Sequence, residues 1–139
     1  MNEQKTRLAH LMEKPGFQFL GYVFYDKYRD PRPSSKEKLK TALRAKTKLT
    51  SGQSFEAIIR TVNASLRGWF NYFKHAHRYT FPKVDRFVRR RLRAILRTQD
   101  KRPGRGRMLD DHQRWPNAFF AAHGLFTLTD VHAAASQSR

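Results

Sequence analysis

The most regular pattern of apolar and polar positions in the sequence lies between residues 55 and 74. At 100° per residue its apolar side chains fall within an arc of about 120°, which is typical of a helix with one face on a core. Residues 51–54, Ser-Gly-Gln-Ser, break the chain just before this pattern and can cap a helix. We therefore predict a helix from Phe55 to about Lys74. Its apolar face comprises Phe55, Ile58, Ile59, Val62, Leu66, Trp69, Phe70 and Phe73.

A further helical pattern begins at Thr80-Phe81-Pro82, because proline is tolerated in the first turn of a helix. Its apolar side is formed by Val84, Phe87, Val88, Leu92, Ile95 and Leu96. We predict that its opposite, outer side carries Arg86, Arg89, Arg90, Arg93 and Arg97. Arg91 falls inside the apolar arc, where it either extends its stem toward water or meets a buried acceptor. From the two helices we expect a core that includes Trp69, Phe70, Phe73, Phe87 and Leu92.

A third, mostly polar helix is predicted before these two, from a cap at Ser34 or Ser35 to about Thr47. Its apolar stripe is narrow and consists of Leu39, Ala42 and Leu43. The rest of its surface is rich in basic residues, so we expect most of this helix to be solvated.

The N-terminal part has the composition of strands instead. Residues 5–11 and 17–25 are strand-compatible, and Lys14-Pro15-Gly16 between them suits a type II turn. We predict a β-hairpin, followed by a linker over residues 25–35. Apolar side chains on both faces indicate that the hairpin packs on the helices or belongs to a larger sheet, because isolated hairpins are only marginally stable.

The C-terminal part begins with a basic loop, residues 101–107, whose proline and two glycines cannot continue a helix. An apolar segment follows from Trp115 to Leu128, with Gly124 as a helix stop, and the last residues are predicted to be frayed. The predicted fold class is therefore mainly α: a three-helix bundle preceded by an N-terminal β-hairpin, with a short C-terminal helical segment.

Charge narrows the possible functions. Lysine and arginine number 29 among 139 residues against 11 acidic residues, giving a net charge of +18. Nucleic acid is the commonest partner of such a chain, and an anionic membrane surface is the competing class. The sequence has no cysteine, no apolar run near the roughly 18 residues that span a bilayer, and no signal-peptide pattern. We expect a soluble, cytoplasmic protein that binds a polyanion and does not bind membranes.

Basic side chains recur in patterns that predict a contact surface. On the helix at 55–74, a stripe along one flank consists of Arg60, Asn63, Arg67, Asn71 and Lys74, at intervals of 3, 4, 4 and 3. The stripe contains no acid, although ordinary exposed faces carry charges of both signs. Arginine favours phosphate, which it binds in bidentate fashion. Tyr72 lies off the apolar arc and is a candidate for stacking on a base. The residues predicted to bind nucleic acid, RNA or DNA, are Lys36, Lys38, Lys40, Arg44, Arg60, Asn63, Arg67, Asn71, Lys74, Arg86, Arg89, Arg90, Arg93, Arg97, Lys101, Arg102, Arg105 and Arg107.

Catalytic chemistry has little support in the sequence. Met108-Leu109-Asp110-Asp111 is similar to the turn that holds two metal ions in polymerases, but it follows a glycine-arginine loop and not a hydrophobic strand. We interpret it as a solvated acidic loop. The six histidines are scattered without a carboxylate cluster, so no metal site, cofactor or catalytic residue is expected.

The sequence resembles the C-terminal part of group II intron reverse transcriptases, or maturases, in three matches. Residues 2–7, NEQKTR, and 17–24, FQFLGYVF, resemble the last hairpin of the polymerase palm. Residues 66–73, LRGWFNYF, and 81–97, FPKVDRFVRRRLRAILR, are similar to the signature of the maturase-specific, or X, domain. Residues 115–128, WPNAFFAAHGLFTL, resemble that domain's closing segment.

The resemblance implies a helical thumb domain that binds intron RNA to assist splicing and, with fingers and palm, grips the template-primer duplex. It divides the chain into a palm-derived hairpin and linker (1–33), an X/thumb domain (34–128) and a frayed tail (129–139). The family's metal-binding aspartates lie upstream of the palm hairpin, so this chain is expected to be a fragment that is not an enzyme by itself. Two alternatives stay open: a subunit of a split reverse transcriptase, active only with fingers and palm in trans, and a general DNA-binding module.

Overall fold

The computed structural model describes residues 17–19, 21–25, 27–49, 52–100 and 109–137. Within these ranges the chain is mainly helical with an antiparallel hairpin at its N-terminal side, which confirms the predicted fold class. The strand predicted at 5–11, its proline-glycine turn and the basic loop at 101–107 lie outside the described residues.

Three short strands form an antiparallel sheet in the order β1 (Phe17–Phe19), β2 (Tyr22–Phe24) and β3 (Arg29–Pro31). Phe19 faces Tyr22 in the first pair, and Tyr22 faces Pro31 in the second. The prediction of a single strand over 17–25 was wrong, because the chain reverses before Tyr22, where Gly21 has a φ of 83°. The predicted linker was also wrong in part, since it contains β3, an edge strand that tolerates a proline.

The three long helices are α1 (Pro33–Lys46), α2 (Phe55–Phe73) and α3 (Thr80–Gln99). The side chain of Ser54 caps α2 by accepting a hydrogen bond from the Ala57 N–H at 3.2 Å, as predicted. The serine cap predicted for α1 was wrong: the helix begins earlier, with Pro33 in its first turn and Arg32 as a cap without a side-chain hydrogen bond.

The core is one cluster of buried side chains, most of which come from α2 and α3. Four of the five predicted core residues are buried, namely Phe70, Phe73, Phe87 and Leu92. Trp69 is half-buried and packs against this core from its edge. The sheet joins the same core through an edge-on contact between the rings of Tyr22 and Phe73, whose centroids are 5.2 Å apart.

Three shorter helices complete the fold: α4 (Leu109–Arg114), α5 (Asn117–Ala122) and α6 (Leu128–Gln137). Gly124 stops α5 as predicted, with a φ of 86° and the paired hydrogen bonds Gly124 N–H to Ala121 O and Leu125 N–H to Phe120 O. The frayed tail predicted over 129–139 was wrong for residues 129–137, since α6 continues to Gln137. Its first turn is held against α3, with Leu128 fully buried.

Candidate nucleic-acid interface

The N-terminal half of α3 exposes a row of cations. Lys83, Arg86 and Arg90 follow at intervals of 3 and 4, so they lie on one face of the helix, and all three are exposed. Val84 and Val88 on the other side are buried, which fixes this face toward solvent. Sequence reasoning had missed Lys83, although its spacing to Arg86 was the signal that could have found it.

Helix α1 adds two cations to this row at the ring of Phe87. Lys40 Nζ lies 5.7 Å, Arg44 Cζ 5.5 Å and Arg90 Cζ 5.7 Å from the ring centroid, within cation–π range. The structure therefore unites residues from two separately predicted helices. We call Lys40, Arg44, Lys83, Arg86 and Arg90 the α1–α3 basic surface.

Its charge is only partly neutralised within the chain. Arg44 NH1 donates a hydrogen bond to Glu37 Oε1 at 2.9 Å, and this bond with the charge of Arg44 lowers the pKa of Glu37. Among the described residues, Glu37 is the acid that forms an ion pair with this surface. Gathered like charges destabilise a fold slightly, and phosphates remove that repulsion when they bind.

Arg91 lies behind this surface and does meet buried acceptors, the second of its two predicted alternatives. Its Nε donates to Thr47 Oγ1 and its NH2 to Thr47 O, both at 3.0 Å, so it binds the last turn of α1. Burial, and then the charges of Arg44 and Arg90, lower the pKa of Arg91. The residue thus holds α1 against α3 and brings the two halves of the basic surface together.

Arg93 and Arg97 were predicted on the outer side of α3, and this placement was wrong because both are buried. The guanidinium of Arg93 donates to Trp115 O at 2.9 Å and to Asn117 Oδ1 at 3.0 Å. Residues 109–117 cover this half of the helix, so its arginines bind protein groups. They anchor α4 and α5 on α3.

Asp111 explains the burial of Arg97. Its carboxylate is 1% exposed and accepts a hydrogen bond from Arg97 NH1, which raises the pKa of Arg97. The interpretation of Asp110 and Asp111 as a solvated loop was therefore wrong: both lie in α4, and Asp111 is buried, while Asp110 is exposed. Arg97 and Asp111 were both predicted to be exposed to solvent. Both predictions were wrong for the same reason, because the two side chains form one buried ion pair.

Arg89 is half-buried, so its predicted position on the outer side holds only in part. It lines a cavity of about 370 Å³ together with Asp85, Asn117 and Thr129. Burial lowers its pKa, and the nearby charge of Asp85 acts in the opposite direction. The residue therefore belongs to the boundary between the exposed and the buried half of α3.

The stripe predicted on α2 is exposed at Arg60, Arg67, Asn71 and Lys74. Asn63 is not part of that exposed stripe: it is buried, donates to Gly124 O at 2.8 Å and accepts from Phe126 N–H at 2.7 Å. The prediction of an exposed Asn63 was wrong because the segment after α5 covers this position.

The α2 stripe and α1 lie on different flanks of α2. Lys46 at the end of α1 donates to Thr61 O at 3.2 Å, whereas Arg67 extends over the ring of Phe126 at 5.6 Å. The stripe is therefore a second basic surface, separate from the α1–α3 basic surface. Of the other predicted residues on α1, Lys38 is exposed and Lys36 pairs with Asp30.

Four predicted residues, Lys101, Arg102, Arg105 and Arg107, lie outside the described residues. Within the described ranges, histidine and acidic side chains do not gather in groups of three or more that could hold a metal ion. No helix in that part of the chain combines the length and the hydropathy needed to cross a membrane.

The structure is a mainly helical, strongly basic domain. Its helix α3 exposes most of the cations of its first half and buries Arg93 and Arg97 in its second half. Residues 36–115 match the family model of the group II intron maturase-specific domain, which covers more than half of the chain. The chain therefore belongs to the group II intron maturase-specific domain family. That domain is maturase-specific and not a polymerase catalytic domain. No curated protein matches the sequence significantly.

Proposed function

We propose that this chain is an RNA-binding maturase domain that binds group II intron RNA and assists its splicing. The observation that carries the proposal is the α1–α3 basic surface, where five cations from two helices gather and, among the described residues, Glu37 is the acid that pairs with them. Membership in the maturase-specific family supports intron RNA as the polyanion.

The proposed mechanism is electrostatic. A folded intron packs its phosphates closely, and each phosphate that a lysine or arginine neutralises releases condensed counterions. The arginines of the surface bind phosphate oxygens in bidentate fashion, while lysine acts as a point charge. The α2 stripe contacts a second segment of backbone. The chemistry of splicing remains with the RNA, and in a full-length reverse transcriptase the same domain grips the template-primer duplex.

A competition experiment tests the choice of nucleic acid. Labelled group II intron RNA is bound to the protein at fixed salt and displaced by unlabelled intron RNA or by duplex DNA with an equal number of phosphates. We expect intron RNA to be the stronger competitor, because its folded backbone presents phosphates on more than one side. A stronger displacement by duplex DNA would contradict the proposal and favour a general DNA-binding module.

A further inference from the structure

Four rings form a continuous row on the surface beside the sheet. The rings of Tyr25 and Tyr28 are stacked with centroids 4.8 Å apart at 23°. His77 follows 4.8 Å from Tyr28, and Tyr79 follows 4.8 Å from His77. We call Tyr25, Tyr28, His77 and Tyr79 the aromatic ladder; it joins the turn between β2 and β3 to the turn between α2 and α3.

Backbone hydrogen bonds hold the ladder in place. Tyr25 N–H donates to Tyr28 O at 2.8 Å, which closes the first turn, and His77 N–H donates to Arg29 O at 2.8 Å, which ties the second turn to β3. The backbone that carries Tyr25, Tyr28 and His77 is thus fixed by hydrogen bonds, and the ring contacts hold the side chains in a row. Preorganised rings lose little conformational freedom when a ligand stacks on them.

Despite this order, the ladder is not covered. Tyr25 is 38%, Tyr28 47% and Tyr79 61% exposed. His77, which links Tyr28 to Tyr79, is half-buried. Single exposed aromatic residues are ordinary, but three exposed tyrosines in one row of touching rings indicate a contact site. A cleft of about 400 Å³ opens beside it, and the described lining of that cleft contains Lys27, Arg29 and His75 but no acid.

The ladder also continues the basic row of α3. Tyr79 caps that helix with helical backbone angles, φ −75° and ψ −10°, and precedes Lys83 by four residues and Arg86 by seven. These spacings place its ring on the helix face that carries the exposed cations. Arg78 lies over the same ring, with its Cζ 5.0 Å from the centroid.

From this arrangement we propose that the aromatic ladder is a binding site for unpaired nucleobases of an RNA strand whose adjoining duplex lies on the α1–α3 basic surface. Aromatic rings beside cations are the usual platform for single strands, because every base has a π-face that can stack while its phosphate meets a cation. The proposal rests on the proposed function for the identity of the polymer and adds a single-strand site to it.

The test compares three fluorescently labelled probes: single-stranded oligoadenylate, an abasic ribose-phosphate strand of the same length, and a blunt RNA duplex. The wild-type chain is expected to bind oligoadenylate roughly tenfold more tightly than the abasic strand, since stacking adds to the same phosphate contacts. Equal affinity of the wild-type chain for these two strands would overturn the proposal before any variant is measured.

Variants of the aromatic ladder test whether its rings cause the preference for oligoadenylate. Tyr28→Leu and Tyr79→Leu are each expected to reduce the preference for oligoadenylate over the abasic strand and to leave duplex affinity unchanged. Tyr28→Phe retains the ring and is the matched control, which should keep the preference. A preference that survives both leucine variants would place the bases elsewhere and overturn the assignment. A failure of the proposed function is seen separately, in the salt dependence of duplex binding by variants of α3.

Discussion

At the residue scale, Asp85 has a structural role that the basic residues around it in the sequence do not indicate. Its carboxylate is buried and accepts hydrogen bonds from the N–H groups of Leu128 and Thr129, both at 3.0 Å, and from the Thr129 hydroxyl. The acid thus satisfies the first turn of α6 from another helix, as a side-chain cap would. It explains why the last helix is ordered against α3.

Replacing Asp85 with alanine is expected to lower the free energy of unfolding by about 2–4 kcal/mol, because a buried carboxylate and its three hydrogen bonds are removed together. Asp130→Ala is the control, since this exposed acid in the same first turn contributes less than about 1 kcal/mol through the helix dipole. Urea denaturation measures both. Equal losses for the two variants would contradict the role assigned to Asp85.

Tyr22 predicts a pH dependence of stability. Burial is the main cause that raises its pKa, and its hydroxyl donates to Tyr72 O at 3.2 Å. The folded state therefore favours the protonated phenol, while in the unfolded state it ionises near 10.0. The stability from Tyr22 is complete below that pH and is lost as the pH rises through the higher folded-state pKa.

The test is Tyr22→Phe, followed by urea denaturation from neutral pH into the alkaline range. Near neutral pH the variant is expected to lose about 1 kcal/mol of unfolding free energy with the hydrogen bond. Above pH 10.0 the difference should narrow, because only the wild type has this phenol to ionise. If the unfolding free energies of the wild type and the variant differ by the same amount throughout the alkaline range, the pKa argument is contradicted.

Single residues also mark the limit of sequence-based prediction. The period of α3 correctly separated Val84 and Val88 from Arg86 and Arg90. It could not reveal that residues 109–117 cover the far side of the same helix, since such coverage depends on contacts between distant parts of the chain. Arg93 was misplaced for that reason. Asn63 was misplaced by the same kind of coverage, from residues 124–126.

At the scale of elements, α3 has two halves with different tasks. Its first half presents Lys83, Arg86 and Arg90 to solvent, and its second half buries Arg93 and Arg97 under α4 and α5. Charge pattern alone cannot tell these halves apart, because arginine recurs through both. The acid that distinguishes them, Asp111, lies one helix later.

The ion pair of Arg97 and Asp111 is expected to contribute more to stability than an exposed pair. Asp111→Asn retains the side-chain volume but leaves a buried guanidinium without this charge partner, so the melting temperature should fall clearly. Glu37→Gln breaks the exposed ion pair with Arg44 and should change the melting temperature only slightly. Thermal unfolding followed by circular dichroism compares them, and a larger effect of Glu37→Gln would refute the assignment.

The elements themselves were predictable to different degrees. Helices α2 and α3 have long apolar arcs and recognisable starts, and the predicted range of α2 and the predicted start of α3 agree with the structure. The sheet was harder to predict, because three-residue strands are too short to show an alternation of apolar and polar residues. The aromatic ladder was out of reach, since it joins two turns that are about fifty residues apart.

At the scale of the whole molecule, the net charge is +18, and the cations of the described residues divide between two uses. Arg93 and Arg97, which are buried, and Arg91, which is half-buried, hold helices together, whereas the α1–α3 basic surface and the α2 stripe gather cations that are mostly exposed. The structural arginines find partners within the chain. The exposed groups keep an excess of positive charge that a polyanion can neutralise.

We propose that the α1–α3 basic surface binds RNA phosphates, and the salt dependence of RNA binding is the decisive measurement. Arg86→Gln/Arg90→Gln removes two charges from this surface, and Lys48→Gln/Arg114→Gln removes two exposed charges outside it. We expect the slope of log K against log salt for RNA duplex to flatten by up to about 1.8 in the first variant, at about 0.9 for each phosphate that is no longer neutralised, and to stay near the wild-type value in the second. Equal slopes for the two variants would contradict the claim.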